Sequence, residues 1–414
     1  MIKPQAPKGF RDFLSKEARA RQFVTQKVQE VFERFGFEPL QTPTIEYASV
    51  ILGKYGQEAD RLVFRFTDRG DRELALRYDQ TVPTARVLVE YANDLPRYWR
   101  RYQIQNVFRA EKPQKGRYRE FTQCDFDVFG STSPIADAEI IACTYFAFKN
   151  VGYPTVLLPM NDRQILFTHL SPFASEKVNV FSLIQSIDKL EKIGEEGVTA
   201  ELVKKGLTNA AAKKALTSIR GAKPTEALEK IMDCSLSLGV PKEALVFSPT
   251  LARGLDYYTN MIFEPMVPEY GSGSLGGGGR YDNLIEQLGG NPTPAVGIAF
   301  GFDRMVEAAQ QLNLIPQGNS AATIFVTLFD ETLQNTSLQA AASFRKAGIP
   351  TEIFPGVDKL DKQLKYADKI GVPYVVIIGS DEAKKGVVKL KTMQTKEQEE
   401  LTIDQVIDKL TNAS

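Results

Sequence analysis

Residues 107–123, VFRAEKPQKGRYREFTQ, crowd Arg109, Glu111, Lys112, Lys115, Arg117, Arg119 and Glu120 around one glycine, Gly116. The flanks, YQIQ (102–105) and CDFDVFG (124–130), read as strands rather than as a solvated helix. The segment is therefore expected to form a hairpin with a long basic tip. In a strand, residues two apart share a face. Arg109 and Glu111 then point one way, and Phe108 and Ala110 the other. On the return strand Arg119, Phe121, Gln123, Asp125 and Asp127 share a face, opposed by Thr122, Cys124, Phe126 and Val128. An ordinary hairpin carries such a charged face as the wet side of an antiparallel sheet. The mixture of arginine, aromatic ring and amide also suits a nucleotide, with guanidinium on phosphate and ring on base.

That concentration of charge stands out because the whole chain is neutral, with 51 Lys and Arg against 51 Asp and Glu. A nucleic-acid partner would have to be held by local basic patches. The 414 residues suffice for two or three domains. No run of about 18 apolar residues suggests a membrane span, and the N-terminal MIKPQAPKGFRDF lacks the apolar core of a signal peptide, which points to the cytoplasm. Cys124, Cys143 and Cys234 fall in hydrophobic stretches at no metal-like spacing and read as buried free thiols. His169 is the single histidine, which excludes HExxH zinc chemistry. A Ser-His-Asp triad would have to rest on it, and after the apolar run ILFT it reads as structural.

Before the hairpin, residues 15–35 have helical periodicity, with Ser15 as N-cap, Val24, Val28, Val31, Phe32 and Phe35 on one face, and Gly36 as the stop. Residues 62–78 alternate like two strands around TDRGD, and 79–95 read as a helix with Pro83 in its first turn. After the hairpin, a helix is expected at 134–149. The Lys-, Glu- and Ala-rich stretch 172–238 reads as a helical insertion in a mainly β domain. Strand and glycine sequence returns at 246–282, followed by a helix at 302–312 and a linker at 313–322, NLIPQGNSAA. The remainder alternates strands (TIFVTL, TEIF, VPYVVIIG, VVKLKT) with helices at 332–347, 358–370 and 403–411, implying a small α/β domain on a largely parallel sheet.

Three further stretches accompany the hairpin. GSGSLGGGGRYD (271–282) matches GxGxxG spacing at Gly271, Gly273 and Gly276, but lacks the leading strand, the following helix and the acid of a dinucleotide site. Without GK[ST] it is not a P-loop either, and the glycines more simply let a ligand approach the backbone. ARGLDYYTNMIFE (252–264) carries Arg253 and Asp256 with two adjacent tyrosines, and AVGIAFGFDRM (295–305) runs small residues into a helix bearing Arg304.

Together these stretches resemble the class II aminoacyl-tRNA synthetases, and within them the histidyl-tRNA synthetase family. FGFEPLQTPTIE resembles motif 1, which in that class helps form a homodimer interface; VFRAE through REFTQCDFDVFG resembles motif 2, and GIAFGFDR motif 3. RGLDYY and GGGGRYD resemble the histidine-specific signatures, and the likeness runs over nearly the whole chain. LRYDQTVPTAR and YREFTQCDFD look more like the eukaryotic and archaeal branch than the common bacterial one, which has Glu where Asp79 and Asp127 stand. The implied fold is α+β: an antiparallel-sheet catalytic domain over 1–319, interrupted by the helical insertion 172–238, then an α/β anticodon-binding domain over 320–414.

The resemblance implies adenylation of histidine by ATP, with Mg²⁺ on the β- and γ-phosphates, and transfer to the 3′ end of histidine tRNA. It implies Arg109 on the α-phosphate, Glu111 at the adenine edge, Phe121 stacked on adenine and Arg304 on the nucleotide's other side, with Arg253 as the catalytic arginine. Asp127 and Tyr258 would read the imidazole, with Tyr281 closing the pocket, while Asp79, Thr81 and Gln123 would surround the α-amino group. Tyr257 is expected to pack, and Asp256 either orients Arg253 or touches ligand. Lys362, Lys365 and Lys369, on one helix face, would meet tRNA phosphates. A competing implication is a histidine-binding regulatory paralogue of histidine biosynthesis that does not charge tRNA. Such paralogues typically lack the C-terminal domain and the ATP-site residues.

Overall fold

The structure is a computed structural model describing residues 3–52, 62–113, 117–176, 178–253, 257–316 and 320–412. Lys115, Gly116, Asp256 and residues 317–319 of the linker lie outside them. The chain forms two compact units, Met1–Ile315 and Pro316–Ser414.

The first unit opens with helix α1 (Ser15–Arg34), whose Val24, Val28, Val31 and Phe32 are buried as the spacing predicts. Burial of each such side chain contributes about 1.5–3 kcal/mol. Ser15 is not its cap: Leu14 occupies that position without a capping bond, Ser15 is already helical, and Glu17 supplies negative charge to the first turn. Next come strands β1 (Glu38–Pro39) and β2 (Ile45–Tyr47), helix α2 (Ala48–Leu52), strands β3 (Arg65–Thr67) and β4 (Glu73–Leu76), and helix α3 (Thr81–Glu90). β2, β4 and β3 make a small antiparallel sheet.

The hairpin is β5 (Trp99–Phe108) and β6 (Glu120–Phe129), paired from Trp99↔Phe129 to Phe108↔Glu120. After it come α4 (Pro134–Val151), β7 (Leu158–Asp162) and helices α5 (Arg163–Leu170), α6 (Val180–Ile187), α7 (Leu190–Lys205), α8 (Asn209–Arg220) and α9 (Glu226–Ser237). The unit closes with β8 (Leu245–Phe247), β9 (Met261–Phe263), β10 (Gly276–Arg280), α10 (Leu284–Gln287), β11 (Ala295–Phe300) and α11 (Phe302–Gln311). Eight strands form one sheet in the order β1-β5-β6-β11-β10-β9-β7-β8, antiparallel through the middle and parallel only at the β1–β5 and β7–β8 edges.

The two faces of this sheet differ sharply. On one, Tyr102, Cys124, Phe126, Val128, Val296, Ile298 and Phe300 pack under α1, α4 and α11 as the main core. On the other, register sets Arg101 opposite Asp127, Gln103 opposite Asp125 and Gln105 opposite Gln123. Beside them lie Gly297 and Ala299 of β11, then Gly279 and Gly277 of β10. Strands β10 and β11 thus raise no bulk on this face, which leaves a trough. The glycine run is itself a strand, not a loop beside one. Nor is the polar face wet: Arg101, Gln103, Asp125 and Asp127 are all buried. Gln80 Nε2 donates to the carbonyls of Gln105 and Gln123, holding the segment before α3 against the hairpin.

The helices over 163–237 pack in two directions. α5 to α8 bury Leu166, Leu183, Val198 and Leu216 in a second core with Trp99, Phe129, Tyr258 and Tyr281, whereas Leu228 and Ile231 of α9 join the main core. His169 Nδ1 lies 2.9 Å from Ser218 Oγ, linking α5 to α8, which agrees with a structural role. Cys124 and Cys143 are buried thiols, but Cys234 is half-buried.

In the second unit, strands β12 (Ile324–Val326), β13 (Thr351–Ile353), β14 (Tyr374–Ile377), β15 (Val388–Thr392) and β16 (Gln398–Leu401) form one sheet in the order β13-β12-β14-β15-β16. Helices α12 (Gln334–Lys346), α13 (Leu360–Ile370), α14 (Ser380–Lys385) and α15 (Ile403–Thr411) complete it. The sheet is mixed rather than largely parallel: β12 pairs parallel with β13 and β14, but β14–β15 and β15–β16 are antiparallel. The segments joining β14 to β15 and β15 to β16 are too short for a crossover, which needs a dozen or more residues. On α13, Lys362, Lys365 and Lys369 are exposed and Gln363 and Ala367 buried.

Candidate active site

A cavity of about 460 Å³ opens over the trough, lined among others by Arg109, Phe121, Gln123, Arg253, Gly277 and Arg304. One chamber therefore gathers residues from four separated stretches of sequence. Glu111 also lines it.

Arg109 sits just past the end of β5, its guanidinium carbon 4.5 Å from the Tyr78 ring centre and 4.9 Å from that of Phe121. The stack holds the cation in place while leaving its Nε buried and unpartnered. Across the cavity, Arg304 in the first turn of α11 bonds to the carbonyls of Ser274 (2.6 Å) and Ser272, and so ties the glycine loop to the helix. Asp303 beside it pairs with Arg11 (2.8 Å) and Arg21, fastening the N-terminal segment over this end.

Arg253 is bonded to Glu264 through Nη1 at 2.5 Å, so a described carboxylate already orients it. A Cβ on Gly277 would lie 1.7 Å from Nη1. Only glycine lets the guanidinium cross the strand there. Tyr258 is buried, its ring centre 6.0 Å from the Arg253 guanidinium carbon. Tyr257 packs between Tyr258 and Tyr281, at 4.6 and 5.9 Å.

Further along the trough, Asp127 receives a hydrogen bond from the Tyr281 hydroxyl and an ion pair from Arg101 at 2.5 Å. A Cβ on Gly297 would stand 1.8 Å from Asp127 Oδ1, so this carboxylate also depends on a missing side chain. Burial pushes the Asp127 carboxyl up, against the opposing pull of Arg101. The Tyr281 phenol is held well above its usual range by burial and by Asp127, and so stays a donor. Asp79 is buried, and its Oδ1 accepts from the Val82 amide at 3.0 Å, capping α3. Thr81 is the first residue of that helix and half-buried. Gln123 Oε1 is buried without a partner.

Sequence reasoning missed Arg101, Glu264, Arg77 and Asp125. Arg101 has the parity of Gln103 and Gln105, which was the available signal, but its pairing with Asp127 needs the hairpin register. Arg77 is buried and bonds to Asn106 O, Thr42 O and Gln105 Oε1, bracing the segment that carries Asp79. Removing one member of a buried pair leaves the other charge unpaired, at about 3–5 kcal/mol. Arg101→Met is accordingly expected to lower denaturant stability by roughly that amount. A change below about 0.5 kcal/mol, the usual size for a surface substitution, would mean that Asp127 does not need its partner.

Comparison with known proteins places this geometry. Residues 9–305 match the family described as histidyl-tRNA synthetase, and residues 312–413 match an anticodon binding domain. A histidine–tRNA ligase of Cytophaga hutchinsonii is 37% identical, covering 99% of this chain and 100% of that protein. One from Wolinella succinogenes is 38% identical, with 95% of both covered. The crystal structure of histidyl-tRNA synthetase from Nostoc sp. PCC 7120 superposes with a TM-score of 0.88 at 29% identity, over 100% of both chains. The chain belongs to the histidyl-tRNA synthetase family.

Proposed function

We infer that the protein is an ATP-dependent histidine–tRNA ligase. It joins the histidine carboxylate to the α-phosphorus of ATP with release of pyrophosphate, then passes the histidyl group to the terminal ribose of histidine tRNA with release of AMP. The observation that carries this reading is the glycine-floored trough, which admits Arg253 at one point and Asp127 at another. The nucleophile of the first step is a carboxylate already ionised at pH 7. The site must orient reactants and balance phosphate charge rather than remove a proton.

In this reading Arg109 meets the α-phosphate, Glu111 the adenine edge and Phe121 the adenine face, while Arg304 holds the nucleotide from the other side. Arg253 stabilises the charge that develops at the α-phosphorus. Asp127, Tyr258 and Tyr281 read the imidazole, which in one neutral tautomer offers a donor and an acceptor. Asp79, Thr81 and Gln123 surround the α-ammonium. Mg²⁺ would enter on the ATP phosphates. The carboxylates lining the cavity are Glu111 and Asp303, and Asp303 is engaged by two arginines, so only Glu111 fits a role beside the metal.

The C-terminal unit would bind the anticodon arm, with Lys362, Lys365 and Lys369 exposed for phosphate contact. Its presence, with Arg109, Arg253 and Arg304, favours the ligase over a regulatory paralogue. Ile45, Tyr47 and Phe66 are exposed on the small three-stranded sheet, and a homodimer would cover them. A monomer mass by light scattering would remove that part. The working place would be the cytoplasm, where the tRNA is.

The deciding assay is charging: the protein, MgATP, histidine and histidine tRNA should yield a histidyl ester on the tRNA. Histidine binding without ester formation would support the paralogue instead.

A further inference from the structure

The amino-acid end of the trough holds more buried acceptors than the protein satisfies. Asp125 is 3% exposed, and its Oδ1 has no hydrogen-bond partner. Gln80 is fully buried and its Oε1 is unpartnered, as is that of Gln123. These groups are neighbours: Gln80 Nε2 bonds to the Gln123 carbonyl at 3.0 Å, and Asp125 follows Gln123 by two residues on the same face of β6. Across the strand Asp125 faces Ala299, which lines the cavity and offers no polar group of its own.

The charged groups around Asp125 are Arg101 on β5, Asp127 on β6, Asp79 before α3 and Arg109 after β5. Arg101 pairs with Asp127 and reaches only the backbone carbonyl of Asp125, at 3.3 Å. The buried ledger on this side is therefore acid-rich. Burial, with Arg101 opposing, pushes the Asp125 carboxyl well above its usual range. A buried carboxylate without a partner is unfavourable unless something arrives to pair with it. The imidazole reader Asp127 already has Tyr281 and Arg101, and Asp79 spends one oxygen on the α3 cap. What the site lacks is a cation with several N–H donors. An ammonium has three, and Gln80, Gln123 and Asp125 leave three orphaned oxygens.

We propose that Asp125 is a substrate-binding residue that receives the α-ammonium of the amino acid together with Gln123. This deepens the histidine reading and rests on it. Asp125 supplies full negative charge where Gln123 supplies only a dipole, and it lies between the α-amino end of the pocket and Asp127 at the imidazole end.

The test measures calorimetric affinities of two ligands for the wild-type protein and for Asp125→Asn. The ligands are histidine and 3-(imidazol-4-yl)propionate, which keeps the ring and carboxylate but has no amino group. Wild type should prefer histidine by about 30–100-fold, the scale of a charge-assisted hydrogen bond with a buried partner. Asp125→Asn should reduce that preference to under about 5-fold, with the propionate binding both proteins alike. An unchanged preference, or equal weakening of both ligands, overturns the proposal; the latter would put Asp125 at the ring or in the framework. If the Asn variant fails to fold, Asp125→Ser gives the same cycle, and failure of both variants to fold also overturns it. Wild-type protein that binds neither ligand would instead bring down the histidine reading itself.

Discussion

Arg253→Ala is expected to slow histidine-dependent ATP–pyrophosphate exchange by about 10²–10³, the loss that follows deletion of one preorganised charge at a transition state. Histidine affinity should change much less, because the guanidinium serves the α-phosphate. Arg253→Lys should recover little, since a point charge on a flexible stem does not reproduce the planar fork. The structure adds a second route to the same defect. A Cβ at residue 277 would lie 1.7 Å from Arg253 Nη1, so Gly277→Ala must displace the guanidinium without altering its chemistry. It should therefore reproduce most of the Arg253→Ala loss. The competing view is that Arg253 serves only to hold its strand through Glu264. That view predicts a lower melting temperature for Arg253→Ala and equal damage from Glu264→Gln. Melting and exchange measured on the same preparations separate the two, and near-normal exchange by a well-folded Arg253→Ala would end the catalytic assignment.

Histidine alone among the twenty amino acids is expected to support exchange, with the others rejected by about 10⁴-fold. The physical reason is the Arg101–Asp127–Tyr281 chain, buried on all three members. Asp127 carries a lone-pair surface that the imidazole N–H can complete. A phenylalanine ring offers no donor there, and would leave the carboxylate desolvated without compensation. Glutamine offers a donor, but on a side chain of different shape and without the ring that Tyr257, Tyr258 and Tyr281 enclose. Comparable exchange with phenylalanine or glutamine would refute the imidazole reading. Gly297→Ala supplies the internal control: its Cβ would fall 1.8 Å from Asp127 Oδ1, so it should raise the histidine KM with the ATP KM nearly unchanged.

The sequence by itself determined the elements whose signals are local. The apolar spacing of 24, 28, 31 and 32 marked α1, the alternation around TDRGD marked β3 and β4, and the parity of 119–128 assigned each side chain of β6 to its face. The four stretches that meet in the cavity were legible as well, because Arg109, Arg253 and Arg304 stand in recognisable runs. Periodicity stops at the face. It cannot say whether a polar face looks out on water or into a covered trough, since that depends on what other segments lay across it. Only the tertiary structure decided that Asp125 and Asp127 are buried, through the Gln80 amide spanning the hairpin and the tyrosines above it. It likewise turned the glycine run from an opening for ligand into a strand that makes room for Arg253. The partners Arg101 and Glu264 were invisible for the same reason. An ion pair acts over a few ångströms of space, and register and crossover, not neighbourhood in the chain, bring its two charges together.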